Sequence, residues 1–141
     1  IFSYPGMDLT VLSPETKTTD LYGREYEFGV TDCFDAMRDY LDTQNIKILP
    51  RVMFIKDFWD KNIDYFTKET IKNWNHYPVE LNSIQKNDVL IFKIFSEINN
   101  HCGVYLGNDI FYHHAENRLS CRENLYPRWH KWLTGAYRYG T

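Results

Sequence analysis

The spacing of apolar residues changes along this chain, and that change constrains the fold more than any other feature. From Thr31 to Trp74, apolar residues recur at intervals of three and four, which is typical of amphipathic helices. From Val79 onward they form short runs and alternations of strand length. Helices followed by strands predict an α+β fold in which N-terminal helices pack on an antiparallel sheet.

Composition supports one folded domain and disfavours two classes of protein. The 141 residues are enough for a single hydrophobic core, and a content of 43% hydrophobic and 17% aromatic residues is unlike that of a disordered chain. A formal net charge of −3, without a run of Lys or Arg, disfavours nucleic-acid binding, which requires a basic face. No apolar run approaches the roughly 18 residues of a membrane span. We therefore expect neither a nucleic-acid partner nor a membrane span.

The first residues differ from the rest of the chain. Residues 1–21 contain two prolines, a glycine and the polar run Thr16–Thr19, and they predict an irregular N-terminal arm that becomes ordered against another protein. Residues 22–141 are then the single domain. Because the first residue is Ile1 and not Met, we expect a processed or trimmed product.

The segment Thr31–Asp35 predicts the start of a helix. Thr31 or Asp32 can accept hydrogen bonds from the free N–H groups of the first turn, and apolar residues follow at helical spacing. Cys33 then lies in that first turn. The partial positive charge and free N–H groups of a helix start favour a thiolate and can hold an oxyanion. An inert, packed cysteine is the commoner role for such a residue, and position alone leaves both readings open.

Four segments have the pattern of strands, and a helical pattern precedes them. The helical pattern runs from Val52 to Trp74 in two pieces, with a break near Asn62 and Asp64. The strand segments are Asp88–Phe95, His101–Leu106, Ile110–His114 and Gly135–Tyr139. Between the second and third strands, Gly107-Asn108-Asp109 predicts a hairpin turn.

The length of this turn decides which histidine faces His101. A three-residue loop pairs Leu106 with Ile110 and sets Gly103 opposite His113, so that His113 is the diagonal neighbour of His101 at about 7 Å. A two-residue turn would instead place His114 on that face, because a shift of one residue exchanges the faces of a strand. Periodicity alone leaves both alternatives open. The small side chain of Gly103 leaves room beside His101 for a substrate or a neighbouring backbone.

The remaining cysteines and histidines suggest no further centre. Three cysteines without C-x-x-C spacing predict neither a zinc site nor a disulfide framework. We assign Cys102 and Cys121 to packing. We assign His76 and His130 to solvated or supporting roles. No metal and no organic cofactor is expected.

Several motifs, taken in order, resemble those of the NlpC/P60 cysteine peptidases. They are Tyr26-Glu27-Phe28-Gly29, Asp32-Cys33, Asn87 to Phe92, His101 to Gly107 and Phe111-Tyr112-His113. The resemblance implies a papain-like fold in which Cys33 is the nucleophile, His101 the base and His113 the residue that orients His101. In that family the third residue commonly follows the second by about twelve positions, which favours His113 over His114. Tyr26 corresponds to a tyrosine that contributes to the oxyanion hole.

A closer resemblance is to the peptidase domain of lambda-K-type phage tail-tip assembly proteins. The segments that carry it are Asp32 to Tyr40, Phe58-Trp59, Asp64 to Phe66, His113-His114 and Arg118 to Arg122. It implies a tail-tip protein with a cysteine endopeptidase domain that hydrolyses host peptidoglycan stem peptides during infection, next to a γ-D-glutamyl–diaminopimelyl bond. The implied partners are the stem peptide and other tail-tip proteins. The implied location is the virion, with action in the host cell envelope.

Two alternatives stand beside this interpretation. One is a structural tail-tip component that keeps the fold without using it catalytically. The other is a cellular amidase or acyltransferase of the same fold. The cell-wall enzymes typically carry Gly-Gly before the cysteine and Ser-Gly after it, where this chain has Gly29-Val30 and Phe34-Asp35. These departures leave the substrate open.

Overall fold

A computed structural model describes residues 21–48 and 60–140 of the chain. The expected N-terminal arm, apart from Leu21, and the first part of the helical pattern from Val52 lie outside these residues. Neither of the described α-helices has the length and apolar character needed to cross a bilayer.

The first helix, α1, spans Cys33–Thr43 and begins where the sequence predicts. Asp32 is its N-cap, and one carboxylate oxygen accepts hydrogen bonds from the N–H groups of Phe34 (3.1 Å) and Asp35 (3.3 Å). The other oxygen accepts from the N–H of Gly29 at 2.8 Å, which ties the preceding turn to the helix. Cys33 is therefore the first residue of α1.

A second helix, α2, is shorter than the sequence pattern suggests. It spans only Lys68–Lys72, and the side chain of Thr67 caps it by accepting from the N–H of Thr70 at 3.1 Å. Residues 60–67 are not helical, so the structure has the expected break at Asn62 and Asp64. The break is longer than predicted, and the apolar spacing of Ile63 and Phe66 was misleading. Asp64 instead accepts a hydrogen bond from the N–H of Phe66 at 2.8 Å, in a non-helical turn.

The described residues form one six-stranded antiparallel sheet with the order β1-β6-β2-β3-β4-β5. The strands are β1 His76–Val79, β2 Val89–Phe92, β3 His101–Gly107, β4 Ile110–His113, β5 Cys121–Asn124 and β6 Leu133–Tyr139. Short 3-10 turns at Leu81–Ser83 and Trp129–Trp132 complete the elements. The predicted α+β fold is confirmed.

Two of the six strands, β1 and β5, were not predicted. Both lie at an edge of the sheet. Edge strands tolerate proline and charged residues, and β1 contains Pro78 while β5 contains Arg122 and Glu123. These residues hide the strand pattern in the sequence.

The sheet has a hydrophobic cluster on each face. On one face, α1 contributes Phe34, Met37 and Leu41, which pack with β2 and β3 residues including Ile91 and Val104. On the other face lie Leu90, Phe92, Phe111, Leu125 and Trp129. The packing of α1 against β3 brings Cys33 to the start of that strand.

Candidate active site

The β3–β4 hairpin sets the positions of the histidines. Its turn contains two residues, Asn108 and Asp109, with φ of 55° and 61°, the left-handed pair of a type I′ turn. Gly107 pairs with Ile110, so the expected Leu106–Ile110 pairing is wrong. A bulge at Leu106 then shifts the strands by one residue, and Gly103 lies opposite His113 as predicted.

His101 and His113 are in direct contact. The Nε2 atom of His101 lies 2.8 Å from the Nδ1 atom of His113, and the rings meet edge to face with centroids 5.1 Å apart. Both side chains are buried. His114 takes no part in this contact, because its Nε2 donates to the backbone carbonyl of Arg118 at 2.8 Å.

Cys33 lies against the start of β3. Hydrogen bonding with the Cys102 thiol and with the His101 ring favours its ionised form. Both partners belong to the start of β3, since His101 and Cys102 are its first two residues. The contact with Cys102 lowers the pKa of Cys33 to about 6, helped by His101 and opposed by burial and by the charge of Asp32. This setting favours the thiolate form of Cys33.

His101 is kept neutral by its surroundings. Burial lowers its pKa below the ordinary value, and the neighbouring Cys33 only partly opposes this effect. The ring is packed between Phe92 and Trp129, with centroid separations of 5.5 Å and 6.1 Å. A neutral imidazole in contact with a thiol can accept its proton.

Sequence reasoning missed Glu123. One of its carboxylate oxygens lies 2.8 Å from Nε2 of His113 and 2.9 Å from the guanidinium of Arg118. The other oxygen accepts from the indole N–H of Trp129 at 3.1 Å. The hydrogen bond from His113 is the main reason that the pKa of Glu123 falls to about 2. Glu123 pairs with Phe111 across the β4–β5 ladder, and this pairing is the only signal that places it diagonally beside His113.

Cys33 and His101 border an open cleft. It has a volume of about 390 Å³, within the range of pockets that bind small molecules or peptides. Its wall includes Tyr26, Cys33, His101, Arg118, Arg128 and Trp129. Tyr26 therefore lies on the same cleft as Cys33, and its ring also contacts His114, with centroids 5.1 Å apart.

The other residues named from the sequence have mixed outcomes. Cys102 is fully buried in the core, as expected, but also contacts Cys33. Cys121 lies 3.7 Å from the Glu123 carboxylate, so it has a polar neighbour besides its packing contacts. Of the two roles expected for His76, solvated or supporting, the solvated one does not apply, because His76 is buried, with Nδ1 3.0 Å from the carbonyl oxygen of Trp74. His130 is half-buried.

Within the described residues, His113, Cys121 and Glu123 could offer ligand atoms to a metal, since these atoms lie within 4.8 Å of one another. Two features disfavour a cation there. The guanidinium of Arg118 already neutralises Glu123 at 2.9 Å. Burial raises the pKa of Cys121, so its thiol keeps the proton that a metal would have to displace. The cluster is better described as a hydrogen-bonded network.

Comparison with known sequences identifies relatives that cover most of this chain. The model of the NlpC/P60 family matches residues 23–138. Tail tip assembly protein K of Escherichia phage lambda is 30% identical over 119 residues, which are 84% of this chain and 59% of that protein. The chain thus spans less than two thirds of the length of this relative.

Solved structures show the same fold. An NlpC/P60 family protein from Bacillus cereus superposes with a TM-score of 0.61 at 19% identity, over 94% of this chain and 42% of its own. A lipoprotein-like member of the family from Staphylococcus aureus gives 0.57 at 22% identity, over 89% of this chain and 39% of its own. At such identities the likeness concerns the fold.

Proposed function

The chain belongs to the NlpC/P60 family, and from that membership we propose that it is the cysteine endopeptidase domain of a phage tail-tip protein. Its substrate is the stem peptide of host peptidoglycan, hydrolysed during infection. The observation that carries the proposal is the contact of a helix-start thiol, Cys33, with a buried imidazole, His101, whose far nitrogen is bonded to His113. This is the arrangement that acyl transfer by a thiol requires.

The reaction follows from these positions. The Cys33 thiolate attacks the scissile carbonyl carbon, and the resulting C–S bond moves an electron pair onto the carbonyl oxygen. His101, which holds the thiol proton, donates it to the leaving amine as the C–N bond breaks. Water, deprotonated by His101, then attacks the thioester and releases Cys33. His113 orients His101 throughout.

Two groups on residues that line the cleft can donate hydrogen bonds to the oxyanion of the intermediate. Asp32 occupies the N–H groups of Phe34 and Asp35, but no described residue accepts from the N–H of Cys33 itself. That N–H lies at the positive end of α1. We assign it, together with the hydroxyl group of Tyr26 on the same cleft, to stabilisation of the oxyanion.

The biological setting comes from the relatives. A named relative is a tail tip assembly protein of a phage, which supports other tail proteins as partners and the virion as the location. Family membership supports the peptidoglycan stem peptide as substrate, with cleavage next to the γ-D-glutamyl–diaminopimelyl bond. Arg128 on the cleft suits a peptide that carries a free carboxylate, whereas Arg118 is paired with Glu123.

The name of the phage relative also favours a second candidate, a purely structural role in assembly of the tail tip. Purified protein incubated with defined muropeptides, with products identified by mass spectrometry, separates the two. We expect cleavage next to the γ-D-glutamyl–diaminopimelyl bond by the natural chain and none by Cys33→Ala. Intact muropeptides beside a Cys33 that iodoacetamide readily alkylates would contradict the enzymatic proposal and favour the structural one.

A further inference from the structure

We infer that Glu123 is a positioning residue that determines which ring nitrogens of His113 and His101 carry protons. In this way it keeps a lone pair of His101 directed at Cys33. The inference extends the proposed function and rests on it for its consequence in catalysis. Its structural basis is a chain of contacts from the edge strand β5 through β4 to β3.

This chain of contacts begins at a group that can only accept hydrogen bonds. The Glu123 carboxylate is surrounded by donors: Nε2 of His113 at 2.8 Å, the guanidinium of Arg118 at 2.9 Å and the indole N–H of Trp129 at 3.1 Å. These donors stabilise the ionised carboxylate, whose pKa is about 2. An ionised carboxylate has no proton to offer, so the proton of this contact lies on Nε2 of His113.

The position of the proton on His113 determines which nitrogen of His101 is protonated. Burial lowers the pKa of His113, so near neutral pH its ring carries one proton. With that proton on Nε2, Nδ1 is an acceptor, and it lies 2.8 Å from Nε2 of His101. His101 must therefore donate from Nε2. The remaining nitrogen of His101, Nδ1, then has a free lone pair.

That lone pair is the one that the reaction needs. Because Nε2 of His101 is bonded to His113, the contact between His101 and Cys33 involves Nδ1. An unprotonated Nδ1 accepts the thiol proton, whereas a protonated Nδ1 cannot. The carboxylate of Glu123, two hydrogen bonds away from His101 and three from Cys33, thus selects the competent form of the base.

Replacement of Glu123 by glutamine exchanges the donors and acceptors of these hydrogen bonds in part of the molecules. A glutamine amide has one acceptor and one donor group, so it cannot accept from both His113 and Trp129. When its NH₂ group faces His113, the His113 proton moves to Nδ1 and points at His101. His101 must then hold its own proton on Nδ1, toward Cys33, and that form is inactive as a base.

A purely structural role for Glu123, as the hydrogen-bond partner of both Arg118 and Trp129, predicts a change in substrate binding instead. Both residues line the cleft, so a loss of this tie would change substrate binding whether or not His113 is present. A double-mutant cycle separates the two roles, because a residue that acts through His113 has nothing to act on once His113 is removed.

The kinetic test compares Glu123→Gln in the natural chain and in a His113→Ala background, with muropeptide hydrolysis as the assay. We expect kcat to fall about 10- to 100-fold in the natural chain, as is common for outer hydrogen-bond partners, with KM changed less than about twofold. In the His113→Ala background we expect no further loss. Glu123→Asp, which keeps the charge, should recover part of the activity. The exposed carboxylate of Glu80, remote at the end of β1, gives the matched control Glu80→Gln.

An equal loss of kcat in both backgrounds would overturn the inference, as would a change confined to KM. Thermal unfolding of each variant, expected within a few degrees of the natural chain, shows that the fold is kept.

A second measurement needs no substrate. In a Cys33→Ala background at about pH 8, where both rings are neutral, ¹⁵N shifts of the imidazoles report which nitrogen is protonated. We expect protons on Nε2 of both His101 and His113, and we expect Nδ1-protonated rings to appear in Glu123→Gln. Unchanged protonation in that variant would overturn the inference. Absence of muropeptide cleavage beside the expected shifts would instead overturn only the proposed function.

Discussion

The Nε2 atom of His101 lies 2.8 Å from the Nδ1 atom of His113, a residue twelve positions later in the chain. This diagonal contact depends on the bulge at Leu106, because the two-residue turn alone would have placed His114 there. Bulges often redirect a side chain beside an active site. The contact also limits what each ring can do, since it leaves His101 one nitrogen for Cys33 and His113 one nitrogen for Glu123.

Removal of His113 should reduce activity without abolishing it. His113→Ala deletes the group that orients His101 but keeps the proton acceptor. We therefore expect kcat for muropeptide hydrolysis to fall about 100-fold or more but to stay measurable. Cys33→Ala deletes the nucleophile and should leave no detectable cleavage. Equal losses in the two variants would mean that His113 does more than orient the ring.

The reactivity of Cys33 should rise with pH around its lowered pKa. A pKa of about 6 predicts an alkylation rate by iodoacetamide that increases between about pH 5 and pH 7 and is nearly constant above. Cys102→Ala removes the largest cause of the lowered pKa, so the midpoint should move to higher pH. Peptide mapping assigns the label to Cys33. A midpoint near the ordinary thiol value of about 8.5 in the natural chain would contradict the prediction.

Asp32 affects the stability of the protein and the pKa of the Cys33 thiol, and two variants separate these effects. Asp32→Ala removes the cap of α1 and should lower the free energy of unfolding by about 1 kcal/mol, measured by urea denaturation. Asp32→Asn keeps the oxygen that caps α1 but loses the acceptor of the Gly29 N–H, so it should cost less than Asp32→Ala. The same Asn variant removes a negative charge that raises the pKa of Cys33, so its alkylation midpoint should move to lower pH. A shift to higher pH would show that the cap, and not the charge, controls the thiol.

Gly103 is expected to tolerate no side chain. A Cβ atom there would lie 2.8 Å from the backbone oxygen of Tyr112 and 3.1 Å from Cβ of His113. Gly103→Ala should therefore cost about 1–3 kcal/mol of stability and displace His113, with reduced activity. Gly135→Ala is the control, because its nearest contact is the side chain of Tyr137, which can move. Similar unfolding midpoints for the two variants would contradict this account.

Local features of the sequence predicted a large part of the architecture. The cap at Asp32 and the helical spacing after it located the start of α1. The alternating segments located β2, β3, β4 and the end of β6. Motif order, with the spacing of His101 and His113, identified the pair that the hairpin brings together. The cap and the periodic segments lie within a few residues of the features that they predict, whereas motif order extends along most of the chain.

The tertiary structure alone decided the rest. Glu123 is an ordinary charged residue in a polar segment until β5 pairs with β4, and Cys102 is an ordinary core residue until α1 packs across the start of β3. The physical reason is the separation in sequence over which each effect acts. Capping and periodicity act between residues close in the chain, so the sequence reveals them. The proton chain from Glu123 to Cys33, and the pKa values along it, depend on burial and on partners from α1, β3, β4 and β5, which only the completed packing brings within hydrogen-bond distance.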